Sequence, residues 1–430
     1  MSIFRKKARC SFIYGMVVAL FVFSIPAPLP AYSVLTHEQV VDFLWHSDIV
    51  KLLREQYPNI TPEQLREAHA YAYGGSLIQD MGYYPGGNKF FSDLVHYVRS
   101  GDFVMEMVRE ASTPDELAFA LGALAHYVSD TNGHPTVNRS VPIEFPKLHK
   151  KFGDVITYSD DPPSHIQTEF GFDVLEVAKQ RYTSQAYHDF IGFEVARPVL
   201  DRAFRATYGL ELHDVLSDED RAIGSYRHAV SVWLPRLTQT ALITKKDELE
   251  AIPNFNAKAF RYTLKRSEYE KEWGKNYYRP GFFAKFLAVI IKILPKVGPL
   301  RAIDPKPPTP QTEKMYIASV EKTVAAYRKL LGNTVENHMK LTDYDLDTGT
   351  PTTPGEYKLA DRAYARLLKD LARKDFAGAS PTLRQNILSF YGDLNRPFET
   401  KRHKGDWNRV LQNLDELKHR PQSAQVVDVQ

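Results

Sequence analysis

Cysteine is almost missing from this chain of 430 residues, which contains only Cys10. A single thiol cannot close an intrachain disulfide, and it cannot build a metal site from several thiolates. The sequence therefore predicts a protein that is stabilised by its hydrophobic core, or by a metal held through nitrogen and oxygen ligands. With 43% hydrophobic and 12% aromatic residues, the chain has the composition to bury a sizeable core.

The N-terminal segment contains an apolar run that is too short for a transmembrane helix. This run, Phe12–Ile25, falls below the roughly 20 residues that a spanning helix needs. It follows four basic residues and precedes the proline-rich stretch PAPLPAYS, a pattern typical of a secretory signal peptide. We therefore predict that residues 1–31 are removed by cleavage after Ala31, and that the protein is secreted or periplasmic. An uncleaved N-terminal anchor is the alternative.

A large excess of charge of one sign is also absent. The formal net charge is +3, and residues 1–31 carry four basic residues and no acidic one. Their removal lowers the net charge to −1 and also removes Cys10. Such a balance does not support a general nucleic-acid-binding patch.

Strand signals are sparse and short, whereas helix-start signals recur. The stretch ITPEQLREAHAYAY begins with Thr61 as a predicted cap, followed by Pro62 in the first turn and Gln64 at the capping-box position. The stretch STPDELAFALGALAHYVSD repeats this arrangement, with Thr113 as the cap and Glu116 closing the box. The sequence therefore predicts an all-α protein.

Proline-rich stretches suggest how the chain is divided. The segment DPKPPTPQT, near residues 304–312, is typical of a linker. We predict a signal peptide over residues 1–31, an all-helical catalytic domain over residues 32–250, and a helical C-terminal region of unknown role over residues 251–430. Helices are expected in this last region near residues 313–332, 355–373 and 405–418.

One apolar stretch stands apart within RPGFFAKFLAVIIKILPKVGPLR. From residue 282 to residue 294 nearly every side chain is apolar, and Lys285 and Lys292 fall on one narrow stripe. The stretch is too short to span a bilayer. Two interpretations remain open: a helix that lies in a membrane interface, and a buried helix that packs the C-terminal region onto the core.

Eight of the fourteen histidines lie within residues 32–169. His126 is followed by Asp130 and then by His134 at intervals of four residues, which places three side chains on one face of a helix. The preceding stretch LAFALGALAHYV is strongly apolar, so the histidine and the aspartate are expected to point inward. A buried carboxylate needs a partner, and a metal ion is one. Pro135 is expected to end this helix.

Further candidate ligands lie in the same half of the chain. His165 and Glu169 form a second pair at a spacing of four residues, while Asp80 lies in SLIQDMGYYP and His96 in FFSDLVHYVRS. Nitrogen and oxygen ligands without thiolate are suited to zinc in a catalytic role, with open positions for water. The sequence therefore predicts a zinc centre.

The order of these residues resembles that of the bacterial zinc-dependent phospholipase C family, which shares its fold with single-strand-specific zinc nucleases. Members are all-helical and bind three zinc ions in a cleft, with an N-terminal tryptophan, an HxxxD motif and an Hxxx(D/E) motif. The resemblance covers roughly residues 32–170 and implies a multi-helix, phospholipase C-like core with an additional helical C-terminal region. The matching residues are Tyr32, His37, Asp80, His96, His126, Asp130, His134, His165 and Glu169.

The resemblance implies that four side chains hold one zinc ion: Asp80, His96, His126 and Asp130. It also implies that Asp130 bridges to a second ion, which is completed by His37 and by the amino nitrogen and carbonyl oxygen of Tyr32. Tyrosine stands where the family usually has tryptophan, but the ligand atoms belong to the backbone. Because a free amine at Tyr32 requires signal cleavage, the uncleaved precursor is expected to lack part of its site.

A third zinc ion is implied at His134, His165 and Glu169. The family's spacing from HxxxD to the next histidine is usually longer than the four residues found here. His149 is therefore the alternative to His134 as a ligand of this ion.

These ligands imply hydrolysis of a phosphodiester by a zinc-activated water, which Asp80 orients or deprotonates. The apolar 282–294 stretch and the near-neutral charge favour a phospholipid substrate, from which diacylglycerol and a phosphorylated headgroup are released. One alternative is a single-strand-specific zinc nuclease, in which the Tyr83–Tyr84 pair stacks on bases. The other is a non-catalytic structural protein with closed zinc sites.

Overall fold

Helices make up almost all of the regular structure. The computed structural model describes residues 34–179, 181–182, 192–234, 237–238, 241, 304–335 and 339–420. The helices before residue 234 are α1 (Val34–Leu44), α2 (Val50–Gln56), α3 (Pro62–Gly75), α4 (Lys89–Tyr97), α5 (Ser100–Glu110), α6 (Pro114–Glu144), α7 (Pro146–Phe152), α8 (Pro162–Ala178), α9 (Arg197–Tyr208), α10 (Leu212–Val215) and α11 (Glu219–His228). A 3₁₀ turn, Ile78–Tyr83, lies between α3 and α4.

The part of the chain after residue 304 is helical as well. Its helices are α12 (Pro310–Val335), α13 (Lys358–Arg373), α14 (Pro381–Phe390) and α15 (Lys404–His419). Two short strands, β1 (Tyr344–Asp345) and β2 (Thr350–Pro351), pair antiparallel between α12 and α13. The all-α fold class is therefore confirmed. Within the described residues, no helix combines the length and the apolar composition that a membrane crossing requires.

Side-chain caps begin the two helices for which the sequence predicted them. At α3, Gln64 N donates to Thr61 Oγ1 at 3.2 Å and Thr61 N donates to Gln64 Oε1 at 2.9 Å, which completes a capping box. At α6, Glu116 N donates to Thr113 Oγ1 at 3.2 Å. Glu116 does not return a bond to Thr113, because its carboxylate accepts from Ser112 N at 2.9 Å and pairs with Arg202 at 2.9 Å. The prediction of a complete box at α6 is therefore wrong, although the cap is present.

The long helix α6 passes through Pro135, so the prediction that this proline ends the helix is wrong. A proline inside a helix removes the N–H that would bond to the carbonyl four residues earlier, which belongs here to Thr131. The backbone of Gly349 packs against that carbonyl, and a Cβ at Gly349 would lie 2.4 Å from the Thr131 oxygen. The helix continues to Glu144, and the face that carries the predicted ligands continues with it.

Helices α3 and α6 cross at very close range because a glycine lies at the contact. A Cβ at Gly122 would lie 2.1 Å from the carbonyl oxygen of Ala72. This approach brings the carbonyl of Ser76, just after α3, to 2.9 Å from Nδ1 of His126. The crossing therefore sets the position of a predicted ligand.

The described part of the C-terminal region packs directly onto the N-terminal helices. Tyr327 on α12 donates to the carbonyl of Leu121 on α6 at 2.8 Å, and Leu367 on α13 belongs to the same buried cluster as Leu124. The stretch predicted as a linker also contacts the N-terminal helices, since Lys306 N donates to the carbonyl of Gln167 on α8 at 2.9 Å. Side chains from the N-terminal helices and from the part of the chain after residue 304 therefore share one hydrophobic core.

Of the four helices described after residue 304, the sequence predicted three and missed α14, although Ser380 caps it and Pro381 opens it. The signal peptide over residues 1–31 and the apolar 282–294 stretch lie outside the described residues. Both therefore stay predictions, as does the division into domains at residue 250.

Candidate metal centre

Eight of the nine predicted ligands meet in three adjoining groups of buried side chains. In each group the candidate ligand atoms lie within 4.8 Å of one another. The first group is His37, His126 and Asp130; the second is Asp80, His96 and His126; the third is His134, His165 and Glu169. Because His126 belongs to two groups, the first and second groups form one continuous cluster.

Asp130 lies at the middle of this arrangement. Its Oδ2 atom is 3.0 Å from Nε2 of His126 and 3.4 Å from Nε2 of His96. Its Oδ1 atom is 3.4 Å from Nε2 of His37 and 3.9 Å from Nε2 of His134. The two oxygens of one carboxylate therefore face different histidines.

Backbone carbonyls orient two of the histidines. Nδ1 of His126 lies 2.9 Å from the carbonyl oxygen of Ser76, and Nδ1 of His96 lies 2.8 Å from that of Ser92. A carbonyl can only accept, so each Nδ1 carries a proton and each Nε2 is the nitrogen that faces the cluster and can offer its lone pair to a metal ion. This is the tautomer that a metal-binding imidazole needs.

Helix α8 supplies two of the three residues of the third group, His165 and Glu169, and also anchors the helix that carries His37. His165 Nε2 lies 2.7 Å from Glu169 Oε1, and His134 Nε2 lies 3.5 Å from the same oxygen. One turn further along α8, the Asp173 carboxylate accepts hydrogen bonds from the backbone at the start of α1, including Leu35 N at 2.9 Å. A carboxylate at a helix N-terminus is favourable because of the helix dipole, so α1 is fixed against α8.

The donor set fits zinc. Two atoms bound to one zinc ion at about 2.0–2.1 Å in tetrahedral geometry lie about 3.3 Å apart, close to the distances between these histidine and carboxylate atoms. Several of these buried polar atoms lie close to other ligand atoms but make no hydrogen bond of acceptable geometry within the described parts of the chain, which points to the same conclusion. They include Asp80 Oδ1, both carboxylate oxygens of Asp130, His134 Nε2 and His165 Nε2.

Burial and neighbouring charges shift the pKa values of these groups. Burial raises the pKa of Asp80, and the proximity of His126 offsets this only in part. Burial acts in the same direction on Asp130, but the charges of His126 and His134 outweigh it and hold its pKa well below the usual range. Burial, together with the charge of His134, lowers the pKa of His165 to about 3. An ionised Asp130 and a neutral His165 are the forms that bind a metal.

Several residues singled out in the sequence lie away from the centre. His149 is exposed and pairs with Asp154 at 2.8 Å, whereas His134 lies beside Glu169. Tyr84 is buried with its ring edge against Tyr226, so the predicted Tyr83–Tyr84 stacking pair is not available as a pair. Tyr32 lies outside the described residues.

Sequence reasoning missed Asp347, which lies on the loop between β1 and β2. Its carboxylate is buried, and Oδ1 lies 3.3 Å from Nδ1 of His134. Its surroundings in sequence, DYDLDTGT, show three acidic residues at alternate positions and no histidine. Nothing local distinguishes this aspartate from a residue of a surface loop.

The fold and this geometry place the chain among all-helical proteins with a candidate metal centre of histidine and carboxylate side chains. Residues 36–218 match a family model described as zinc dependent phospholipase C. The resemblance inferred from the order of the ligands is thereby confirmed over a range that contains all eight clustered residues. The match supports a phospholipase C-like zinc enzyme. Comparison of the chain with curated proteins and with solved structures gave no match.

Proposed function

We propose that this protein is a secreted or periplasmic zinc-dependent phosphodiesterase that acts on phospholipids as a phospholipase C and uses about three zinc ions. The meeting of eight histidine and carboxylate side chains in three buried groups carries the proposal. The match of residues 36–218 to the phospholipase C family model supports the lipid substrate.

The chemistry divides between metal and protein. When bound, zinc ions in these groups lower the pKa of a water molecule and neutralise charge on phosphate oxygens. The water oxygen forms the new bond to phosphorus, and the bond from phosphorus to the glycerol oxygen breaks. That oxygen takes up a proton to give diacylglycerol, and the phosphorylated headgroup leaves.

Asp80 is the residue that we propose to orient and deprotonate the attacking water molecule. Its Oδ1 atom lies 3.4 Å from Nε2 of His96 and has no hydrogen-bond partner among the described residues. It lies on the 3₁₀ turn Ile78–Tyr83, at the edge of the cluster, where it can orient a water molecule and accept its proton. The surrounding helices hold it in place, so its contribution is geometric as well as chemical.

Two half-buried aromatic rings border the centre and are the proposed walls of the substrate-binding region. The ring centroid of Tyr83 lies 6.0 Å from that of His96, and the centroid of Tyr158 lies 5.9 Å from that of His165. Such rings offer an apolar surface beside a polar reaction centre, which suits a phospholipid with its glycerol and acyl groups next to the phosphate.

Parallel hydrolysis assays test the proposal. The zinc-loaded full-length protein, with its N-terminus determined by mass, is incubated with phosphatidylcholine in mixed micelles and, separately, with single-stranded DNA. We expect release of diacylglycerol and phosphocholine and no cleavage of the DNA. His126→Ala is expected to abolish release, while the exposed His149→Ala retains it.

The alternatives predict different results in the same assays. Cleavage of DNA without hydrolysis of lipid identifies a zinc nuclease and overturns the lipid proposal. With Tyr84 buried, stacking on a base falls to Tyr83 alone within this turn. Full occupancy by zinc without hydrolysis of either substrate identifies a structural zinc protein.

The mature N-terminus is part of the same proposal. Cleavage after Ala31 frees the backbone amine of Tyr32, which we propose as a ligand of the ion held by His37 and Asp130. We expect a form with residues added before Tyr32 to bind this ion more weakly. Zinc content measured on the two forms side by side tests this expectation.

A further inference from the structure

We infer that Asp347 is a positioning residue for His134, and that the loop between β1 and β2 completes the third metal group. This inference rests on the proposed zinc centre. It assigns a role to the C-terminal region, because Asp347 lies beyond the residues that match the family model.

The two nitrogens of His134 face different partners. Nε2 lies 3.5 Å from Oε1 of Glu169, on the side of the third group. Nδ1 lies 3.0 Å from the carbonyl oxygen of Leu346 and 3.3 Å from Oδ1 of Asp347. Both partners on this side accept hydrogen bonds, so Nδ1 carries a proton and Nε2 is the nitrogen that faces Glu169 and can offer its lone pair to a metal ion. A carboxylate behind a metal-binding histidine fixes its tautomer and increases its basicity.

The carboxylate of Asp347 is itself held in place from several directions. The hydroxyl of Tyr97 on α4 donates to Oδ2 at 2.9 Å, and the hydroxyl of Tyr357 donates to the same oxygen. Asn138 on α6 donates its side-chain N–H to the backbone carbonyl of Asp347 at 2.8 Å. These contacts leave Oδ1 to face His134.

The same loop joins the helices that carry the ligands. Leu346 N donates to the carbonyl of His96 at 3.1 Å, and just after β2 the hydroxyl of Thr352 donates to the carbonyl of Tyr97 at 3.1 Å. Gly349, with φ of 66°, lies against the Thr131 carbonyl that the helical proline leaves without its usual donor. The loop therefore contacts both α4 and α6 next to the centre.

The C-terminal loop contacts the imidazole ring of His134, whereas its hydrogen bond to His96 involves only the backbone. His126 and His96 direct Nδ1 to the carbonyls of Ser76 and Ser92, both within the N-terminal part of the chain. His134 directs Nδ1 to a carbonyl and a carboxylate from beyond residue 304. A change at Asp347 is therefore expected to weaken the binding of the third zinc ion and to leave the other two bound.

Chelator titration of the full-length protein tests this inference. Zinc content is measured after equilibration with increasing concentrations of chelator, for the wild type and for Asp347→Asn. We expect the variant to release one ion at a concentration about 10–100-fold lower than the wild type, as for other residues behind metal ligands. Asp361→Asn is the matched control: Asp361 is buried in the same region, but it accepts from the backbone N–H groups of Gly355 and Glu399.

A second variant, which leaves the carboxylate of Asp347 in place, tests the inference if Asp347→Asn does not fold. Tyr357→Phe removes one hydroxyl that donates to Asp347, and we expect a smaller shift in the release of the same ion. In a His134→Ala background, neither change is expected to cause further loss. Equal release from the wild type and from every folded variant overturns the inference. A wild type that never holds three ions instead overturns the zinc centre on which the inference rests.

Discussion

Asp130 places its Oδ2 atom 3.0 Å from Nε2 of His126, which lies one turn earlier on the same helix. Its other oxygen faces His37, on a different helix, at 3.4 Å. One carboxylate thus contacts two groups of candidate ligands, so its loss is expected to disturb both.

Asp130→Asn tests this shared role. The amide keeps the size of the side chain but loses its negative charge, so we expect the zinc content to fall from about three ions to about one, held by the third group. Hydrolysis is expected to fall at least a thousandfold, because two adjacent ions provide most of the electrostatic stabilisation. Elemental analysis after gel filtration measures the zinc, and the exposed Asp154→Asn serves as the control. Retention of three ions contradicts a bridging role.

His134→Ala and His149→Ala decide between the two histidines proposed for the third zinc ion. We expect His134→Ala to lose one ion, because this buried ring lies beside Glu169, and His149→Ala to keep all three, because its ring lies at the surface. The same elemental analysis measures both variants. The opposite result restores His149 as the ligand and requires a rearrangement of α7.

Gly122→Ala tests the close crossing of α3 and α6. A methyl group at this position meets the Ala72 carbonyl at 2.1 Å, so the helices must separate. We expect the free energy of unfolding to fall by about 1–3 kcal/mol, measured by denaturant titration. Gly224 on α11 has no atom within 4 Å of an added Cβ. Gly224→Ala is therefore expected to be neutral or to stabilise by up to about 1 kcal/mol, and equal losses in both variants contradict the role of the crossing.

Glu144 makes stability depend on pH. Burial raises its pKa to about 8, and the hydrogen bond from Thr312 at 2.8 Å offsets this only in part. The pKa of Glu144 is higher in the folded than in the unfolded state. Its contribution to the free energy of unfolding is therefore complete below about pH 4.5 and is lost as the pH rises through 8.

Glu144→Gln removes this titration. We expect the variant to match the wild type in melting temperature at pH 5 and to exceed it at pH 8.5, by roughly 2–4 °C for each kcal/mol recovered. Glu321→Gln, on the exposed face of α12, controls for the loss of one negative charge. A difference between Glu144→Gln and the wild type that stays constant with pH contradicts the assignment.

Local patterns in the sequence were sufficient to predict most of the helices and most of the residues of the candidate metal centre. The spacing from His126 to His134 placed three side chains on one helical face, and the threonine caps located the starts of α3 and α6. These features depend on residues within a few positions of one another. No local pattern indicates that α6 passes through Pro135, where the Thr131 carbonyl packs against Gly349, more than two hundred residues later.

Asp347 illustrates the same limit within the centre. Its acidic neighbours at alternate positions are typical of an exposed loop. Its burial results from Tyr97 and His134, which are more than two hundred residues away, and from Tyr357, ten residues later. The family resemblance could not supply it either, since the match ends at residue 218. Packing between the N-terminal helices and the part of the chain after residue 304 determines this contact.

The placement of three candidate ligands on one helix means that α6 fixes their spacing in the centre. With a rise of about 1.5 Å per residue, His126, Asp130 and His134 are spaced at about 6 Å intervals along the axis. A single inserted residue between Asp130 and His134 would rotate everything beyond it by about 100° and separate the third group from the others. We expect this interval to tolerate changes of residue type more readily than any change of length.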